Sequence, residues 1–271
     1  MTAAASAAAL ALENVTCAFA GSGTASHYIA VRDTSLTVGT GEFVSVVGPT
    51  GCGKSTLLNV AAGLLAPSSG RALVHGAHLT GINARAGYMF QADALMPWRN
   101  TLQNVTVGLE FHGVPKGDGV LKAHDWLARV GLAGFQDRYP HQLSGGMRKR
   151  VALAQMLILD PEILLMDEPF SALDIQTRQL MENELLDLWS ADRKSVLFIT
   201  HDLEEAISLS DRVIVLSAGP ATHPIGEFAI DLPRPRDVAE IRMQPRFNEL
   251  HEAIWQVLKS EVLKGYAQSR K

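Results

Sequence analysis

Three features are scarce in this sequence of 271 residues: cysteine, long apolar runs and excess positive charge. Its two cysteines, Cys17 and Cys52, are too few for a disulfide framework, which is typical of a reducing compartment. Lys and Arg number 24 against 28 Asp and Glu, and this balance disfavours wrapping around nucleic acid as the main task. Charged residues, Lys54 among them, interrupt every apolar stretch before it reaches the roughly 20 residues of a membrane span. We therefore expect a globular chain that does not cross a bilayer by itself.

The first residues are uncharged and rich in alanine, so a targeting segment has to be weighed. No cationic region precedes the apolar residues, and Glu13 soon closes the stretch. We interpret residues 1–9 as a disordered tail before a first strand, with a targeting segment as the alternative.

A glycine-rich segment lies between an apolar β-branched run at 43–47 and a helical pattern from Leu57 onwards. It consists of Gly48, Pro49, Thr50, Gly51, Cys52, Gly53, Lys54, Ser55 and Thr56. A strand, a glycine-rich turn and a helix that begins with Lys and Ser make the arrangement of a phosphate-binding P-loop. We expect Lys54 to reach the β- and γ-phosphates and the Ser55 hydroxyl to bind Mg²⁺. An ordinary glycine-rich loop is the structural alternative.

Strand and helix patterns alternate along most of the chain, which is typical of a mainly parallel sheet. The predicted strands are 10–18 as an edge strand, 29–38, 43–47, 71–75, 86–90, 163–166, 195–199 and 212–216. Between 92 and 159 strands disappear, and helical patterns at 120–130 and 147–158 predict a helical subdomain inserted into the sheet. Residues 10–230 are thus predicted to form one domain.

Residues 231–271 are predicted to form a linker and an amphipathic helix. The apolar face of that helix consists of Phe247, Leu250, Ile254, Val257, Leu258 and Val262. We expect this face to dock on the parent domain, with a partner or membrane contact as the alternative.

Two carboxylates and a histidine follow predicted strands. Asp167 and Glu168 end the strand at 163–166, at the edge where α/β sheets hold their ligands. We expect Asp167 to hold Mg²⁺ and Glu168 to deprotonate the water that attacks the γ-phosphate. His201 follows the strand at 195–199 and could contact both the γ-phosphate and that water. A salt-bridged acidic pair and a structural histidine are the alternatives.

Two segments open the helical subdomain. Gln91 follows the strand at 86–90, and its neutral amide can touch Mg²⁺ or the attacking water without adding charge. Trp98 and Arg99 lie in an unusually apolar loop and are expected to anchor an interface. Folding of Trp98 back onto its own domain is the alternative.

Ser144 occupies an N-cap position before Gly145, Gly146 and three consecutive cations at 148–150. Cations in the first turns of a helix oppose its macrodipole, which favours an anion docked there. This helix start would be a second phosphate-binding surface beside the P-loop. Because one triphosphate does not need two such surfaces from one domain, we infer that the helix start completes the site of a second subunit. A basic, solvated helix face is the alternative.

Taken in this order, the motifs resemble those of the ATP-binding subunits of ABC transporters over residues 10–216 and somewhat beyond. The matching segments are 48–55 for Walker A, Gln91 for the Q-loop, 143–147 for the signature, 163–167 for Walker B, Glu168 for its catalytic glutamate, 171–174 for the D-loop and His201 for the switch histidine. The resemblance adds Asp174 and Phe19 to the nucleotide-binding residues, Phe19 as the aromatic stacked on adenine with Tyr28 as its substitute. Met147 departs from the glutamine that many members carry.

The resemblance implies an α/β P-loop NTPase fold with a mainly parallel core sheet, an antiparallel β edge and an inserted helical subdomain. It implies that two subunits sandwich two MgATP head to tail and drive a membrane permease, which would contact Trp98 and Arg99. A periplasmic or lipid-anchored substrate-binding protein would take part indirectly. The chain would lie at the cytoplasmic face of the membrane as a peripheral subunit, with ATP and Mg²⁺ as cofactors and no nucleic acid partner.

Segments 95–99, 143–150 and 232–236 look like the nitrate/sulfonate/taurine importer branch, which implies uptake of a small anion and leaves its identity open. The alternative is a soluble ABC-type ATPase that acts on nucleic acid or the ribosome. The interval of about 50 residues between Gln91 and Ser144 leaves no room for the long coiled coil of such proteins.

Overall fold

The structure, a computed structural model, describes residues 8–20 and 27–268. Most of the predicted tail, residues 1–7, lies outside the described residues. Strand β1 begins at Ala8, two residues before the predicted start. The described part is a mixed α/β domain with two sheets.

In chain order, the strands are β1 (Ala8–Ala20), β2 (His27–Gly39), β3 (Phe43–Val47), β4 (Ser69–Val74), β5 (Ala77–His78), β6 (Ala86–Met89), β7 (Ile163–Asp167), β8 (Ser195–Thr200), β9 (Arg212–Leu216) and β10 (Pro224–Ala229). The helices are α1 (Lys54–Ala61), α2 (Thr101–Phe111), α3 (Lys116–Arg129), α4 (Gly145–Leu157), α5 (Ile175–Ala191), α6 (Leu203–Leu209), α7 (Val238–Ile241) and α8 (Pro245–Gln268). Within the described ranges, none of them combines the length and the apolar character that a bilayer span requires.

The larger sheet has the order β10-β9-β3-β8-β7-β6, and only β10 runs antiparallel to its neighbour. Every residue of β3, β7 and β8 is buried, as in parallel strands covered on both faces. These strands confirm the predicted parallel core. Strand β10 was not predicted, because its mixed and partly exposed residues carry little alternation and only the pairing with β9 defines it.

The smaller sheet is antiparallel and has the order β2-β1-β4-β5. Strand β1 therefore pairs on both sides, and its prediction as an edge strand was wrong. The alternating pattern of β1 indicates that one face is buried, with Leu10 and Leu12 in the core. It does not depend on whether the strand pairs with one neighbouring strand or with two. Helix α1 packs in the core between the two sheets.

The predicted helical subdomain comprises α2, α3 and α4, between β6 and β7. It has a core of its own, in which Val105, Leu127 and Val151 are at most 1% exposed. Asn100 begins α2 with a capping box, since its side chain accepts from the Gln103 N–H at 2.9 Å and Gln103 accepts from its N–H at 3.0 Å.

The linker that precedes α8 is fixed to the domain. Arg234 donates to Asp211 at 2.8 Å, and the buried Arg236 donates to the carbonyl of Ser210 at 2.7 Å, just beyond α6. The core-facing residues of α8, Phe247, Leu250, Ile254 and Leu258, are buried against α6, β9 and β10. Docking of this helix is thus confirmed, although Val262 remains 36% exposed.

Stability is expected to depend on pH through Glu182 of α5. Burial, with nearby Glu205, raises the pKa of Glu182 to about 8, against the opposing charge of Arg242. The folded chain therefore holds a proton that the unfolded chain releases near pH 4.5, so stability falls as pH rises between these values.

We predict that Glu182→Gln removes a slope of up to about 1.4 kcal/mol per pH unit in the free energy of unfolding, measured with urea at several pH values. Glu252→Gln, at an exposed position of α8, is the matched control. A Glu182→Gln chain that keeps the wild-type slope contradicts this assignment.

Candidate functional site

The P-loop turn requires glycine at two positions. Gly51 and Gly53 have φ of +76° and +105°, in the region that side chains rarely adopt. A methyl group on Gly53 would also lie 3.0 Å from Cγ2 of Val31, so β2 packs directly against the turn. Gly53 is the N-cap of α1 and has no side chain to cover the first N–H groups of that helix.

Lys54 lies in the centre of the loop and is 5% exposed. Its Nζ donates to the carbonyls of Gly48 at 2.9 Å and Pro49 at 3.1 Å. The same nitrogen lies 4.0 Å from Oε1 of Glu168. The loop thus places a buried cation beside a carboxylate from the end of β7.

Ser55 and Asp167 come together although they are far apart in the sequence. The Ser55 hydroxyl donates to Oδ1 of Asp167 at 3.1 Å. Burial raises the pKa of Asp167, and the hydrogen bond from Ser55 opposes that shift. A hydroxyl and a carboxylate are hard oxygen donors, the type that Mg²⁺ prefers, so these two residues fit the predicted ion.

Glu168 has a strained backbone and a fixed side chain. Its φ is +43°, which is uncommon for any residue except glycine. Its N–H donates to the Ile199 carbonyl at 2.9 Å, and Ser171 Oγ donates to its carbonyl at 3.0 Å. Oε2 lies 2.9 Å from Nδ1 of His201. Strain that neighbouring elements hold in place is common at functional sites.

The strand register explains why these residues meet. Asp167 lies opposite Ile199, and Val47, directly before the P-loop, lies opposite Thr200. The three strands therefore end at one edge, as the sequence predicts for a parallel sheet. Lys54, Glu168 and His201 form one chain of contacts there.

Gln91 lies at the same edge, just beyond the end of β6. Strand β6 pairs with β7 so that Met89 lies opposite Met166. The Gln91 carbonyl accepts from Nζ of Lys149 at 2.6 Å, while its side chain lies in an exposed turn. The register therefore places Gln91 at the edge where β7 ends, and the hydrogen bond that fixes it runs through its backbone carbonyl.

The two aromatic candidates for adenine stacking are neighbours. Phe19 of β1 lies directly opposite Tyr28 of β2 in the antiparallel register. Their exposed fractions are 41% and 48%. Because residues directly opposite each other point to the same face of a sheet, both rings border the same surface.

The predicted signature forms the start of α4. Ser144 is the N-cap, and its hydroxyl accepts from the Met147 N–H at 3.3 Å. A methyl group on Gly146 would lie 2.7 Å from Cγ2 of Thr177, so α4 packs closely on α5 at this point. A methyl group on Gly145 would lie 3.7 Å from Cδ2 of Leu173.

Asp174 begins α5 in a similar way. It is the N-cap, and its Oδ1 accepts from the Thr177 N–H at 3.0 Å, which lowers the pKa of Asp174. The signature and the D-loop are therefore adjacent within one subunit.

The three cations of α4 have partners inside the chain. Asp93 accepts from Nε of Arg148 at 2.9 Å and lies 3.1 Å from Nζ of Lys149, and Arg150 pairs with Glu184. Internal carboxylates thus neutralise all three cations, so their charge alone does not require an external anion, and the docked anion stays a prediction. The sequence analysis did not identify Asp93 as a partner of these cations. Its position two residues after Gln91 was the only indication in the sequence.

The Trp98 side chain is 72% exposed, so the alternative that it folds back onto its own domain was wrong. Arg99 donates to Glu110 of α2 at 2.9 Å, which fixes the loop on the helical subdomain. Beside Trp98 a groove of about 520 Å³ runs between α2 and α3. Its lining includes Gln103, Thr106, Leu109, Lys116 and Val120.

Comparison with known proteins finds similarity to ATP-binding proteins of ABC transporters. A family model described as ABC transporter matches residues 31–171. An uncharacterised ABC transporter ATP-binding protein of Methanocaldococcus jannaschii is 48% identical over 257 residues, which cover 94% of this chain and 93% of the relative. The taurine import ATP-binding protein TauB of Burkholderia pseudomallei is 44% identical over 236 residues, which cover 86% and 90%.

Among solved structures, an ATP-binding cassette in a dimeric post-hydrolysis state with ADP and Pi superposes with a TM-score of 0.72 at 29% identity. The match covers 83% of this chain and 100% of that cassette. The described fold is thus that of such cassettes.

We predict that Asp93→Ala lowers the free energy of unfolding by about 2 kcal/mol, because the buried Lys149 ammonium loses its carboxylate partner and keeps only the Gln91 carbonyl. The double variant with Lys149→Met removes that charge and should recover more than half of the loss in a urea denaturation series. A double variant no more stable than Asp93→Ala alone would show that this ion pair is not the cause.

Proposed function

Because this chain belongs to the ABC transporter family, whose ATP-binding subunits hydrolyse ATP, we propose that it powers the import of a small anion such as nitrate, a sulfonate or taurine. The observation that carries the proposed site is the contact chain from Lys54 through Glu168 to His201. Support for the substrate class comes from the relatives named TauB. The soluble ATPase that acts on nucleic acid or the ribosome is not favoured, since these relatives are named for transport.

In this proposal the triphosphate binds at residues 48–56. Lys54 Nζ exchanges the carbonyls of Gly48 and Pro49 for phosphate oxygens, a better match for a buried cation than two neutral acceptors. The N–H groups at the start of α1 bind the same phosphates. The adenine stacks on the surface that Phe19 and Tyr28 border.

Ser55, Asp167 and Gln91 are the proposed Mg²⁺ ligands, Asp167 directly or through water. When bound, Mg²⁺ would neutralise charge on the phosphate oxygens during transfer. The Ser55 hydroxyl lies 3.1 Å from Oδ1 of Asp167, so two of the proposed oxygen ligands are already adjacent. The side-chain amide of Gln91, just beyond the end of β6, would add a neutral oxygen ligand.

Glu168 is the proposed general base. His201 holds one carboxylate oxygen at 2.9 Å, and Lys54 lies 4.0 Å from the other, so the carboxylate has a defined orientation. Such positioning allows Glu168 to accept a proton from the water that attacks the γ-phosphate, and it allows His201 to contact that phosphate.

The complete site is proposed to need a second subunit. Gly145 and Gly146 pack beside the D-loop and α5 of their own chain, while Ser144, the N-cap of α4, is exposed and available to the nucleotide of a partner. Asp174 lies in the same region. The dimeric cassette with ADP and Pi supports this arrangement. A homodimer is the simplest form, and each closed dimer would hold two MgATP.

The exposed Trp98 and the adjoining groove are proposed to receive the transmembrane permease. A large aromatic side chain that is exposed beside a groove is a typical interface anchor. Arg99, which pairs with Glu110, would fix the loop that carries Trp98. The subunit would then lie at the cytoplasmic face of the membrane, and a periplasmic or lipid-anchored binding protein would deliver the substrate to the permease.

We predict that Glu168→Gln abolishes most ATP turnover, by about 100-fold or more, because the amide cannot accept the proton. ATP binding should persist, and an ATP-bound dimer should accumulate in sedimentation experiments. Glu162→Gln, an exposed carboxylate just before β7, is the control. Unchanged turnover in Glu168→Gln would exclude this residue as the base.

We predict that Trp98→Ala leaves the ATPase activity of the isolated subunit within about twofold but reduces its stimulation by the permease and loaded binding protein about tenfold. Met243→Ala, which truncates a side chain that is 82% exposed elsewhere on the domain, is the matched control. Full stimulation of Trp98→Ala would place the permease contact elsewhere.

A further inference from the structure

The second half of α8 carries a buried carboxylate that binds a loop of the catalytic domain. Glu261 is 7% exposed, and its Oε2 accepts from the backbone N–H of Ala218 at 2.8 Å. Its Oε1 accepts from Lys264 at 2.6 Å. Burial by itself would raise the pKa of Glu261, but these hydrogen bonds lower it, so the group is an ionised acceptor. A charge-assisted bond of this kind fixes the N–H more firmly than a neutral one.

The segment that Glu261 holds, residues 218–222, is in contact with the P-loop. A methyl group on Gly219 would lie 3.6 Å from both the Cys52 Cα and the Gly51 carbonyl oxygen, which is ordinary van der Waals distance. The segment therefore borders the turn that precedes α1.

The same segment also supports the P-loop through β2. The Ala221 N–H donates to the Ile29 carbonyl at 2.7 Å, and the Thr222 N–H donates to the Ala30 carbonyl at 3.1 Å. Strand β2 in turn packs on Gly53, since a methyl group there would lie 3.3 Å from the Ala30 carbonyl oxygen.

Helix α8 touches the P-loop directly one turn further on. A methyl group on Gly265 would lie 3.3 Å from Cβ of Pro49. Residues four positions apart share one face of a helix, so Glu261 and Gly265 present a single surface to the loop. Three sets of contacts thus connect α8 to the nucleotide site.

We propose that α8 holds the P-loop in its phosphate-binding geometry, with Glu261 as the positioning residue. A turn with two glycines at positive φ has many accessible conformations, and neighbouring elements must fix the direction of its N–H groups. Supports that are present before the nucleotide arrives reduce the ordering cost of binding, so they act on affinity. This inference rests on the proposed nucleotide site.

The test measures the dissociation constant of MgATP for the full-length chain by equilibrium titration, at a temperature where every variant is folded. Glu261→Ala is expected to raise it about tenfold. Glu261→Gln keeps an oxygen that can accept from Ala218 and should stay within about threefold of the wild type. Lys264→Met, which leaves the Ala218 bond in place, should do the same.

Control variants distinguish an effect on P-loop geometry from a loss of folding stability and from a failure of the proposed nucleotide site. Glu252→Ala truncates an exposed carboxylate of α8 and should leave affinity unchanged. Lys54→Ala tests the proposed nucleotide site. If Lys54→Ala abolishes binding while Glu261→Ala lowers only the melting temperature, the positioning role is overturned and the site stands. If Lys54→Ala binds MgATP normally, the proposed site itself fails.

A second variant decides the question if Glu261→Ala does not fold. Gly265→Val presses a branched side chain against Pro49 and is expected to weaken MgATP binding about fivefold or more. Ser260→Val places the same residue type at an exposed position of α8 and controls for helix propensity. Equal affinities in these two variants would overturn the proposal.

Discussion

The burial of the Lys54 ammonium group is the constraint around which the nucleotide edge is built. A cation that is 5% exposed needs compensating oxygens, and the fold supplies two P-loop carbonyls and the carboxylate of Glu168. That carboxylate comes from β7, and its other oxygen binds His201 after β8. One buried charge thus joins three neighbouring strand ends. The left-handed backbone at Glu168 persists because β8 and Ser171 hold it on both sides.

The helical subdomain is connected to this edge by charge. Lys149 of α4 donates to the carbonyl of Gln91 and pairs with Asp93, so the start of the signature helix is tied to the turn after β6. Gln91 is a proposed Mg²⁺ ligand, while Trp98 of the same segment is a proposed permease contact. A displacement of the exposed loop would therefore act on a strand end that borders the nucleotide. The internal pairing of Lys149 provides this mechanical connection.

The C-terminal residues are connected to the P-loop itself. The fixed linker places Arg234 and Arg236 against the end of α6, and α8 then crosses β9 and β10 towards the P-loop. Glu261 holds the segment at 218–222 beside the P-loop, and Gly265 lies next to Pro49 of the loop itself. The same helix buries its apolar face in the domain core, so folding stability and P-loop geometry depend on one element.

The sequence by itself determined the P-loop, the acidic pair at the end of β7 and the parallel core, because each depends on short-range order: a glycine pattern, a strand end or a continuous apolar run. It also determined that His201 would reach the same edge, since parallel strands end together. Only the tertiary structure decided which charges neutralise one another. Arg148 and Asp93 stand 55 positions apart, and no local pattern relates them.

Long-range contacts also explain the other features that the sequence did not predict. The central position of β1, the existence of β10 and the pairing of Phe19 with Tyr28 are all set by strand pairing across the fold. The exposure of Trp98 and the contact of Gly265 with Pro49 depend on how distant surfaces pack. Local sequence specifies which groups are available for chemistry, whereas long-range packing specifies which of them meet.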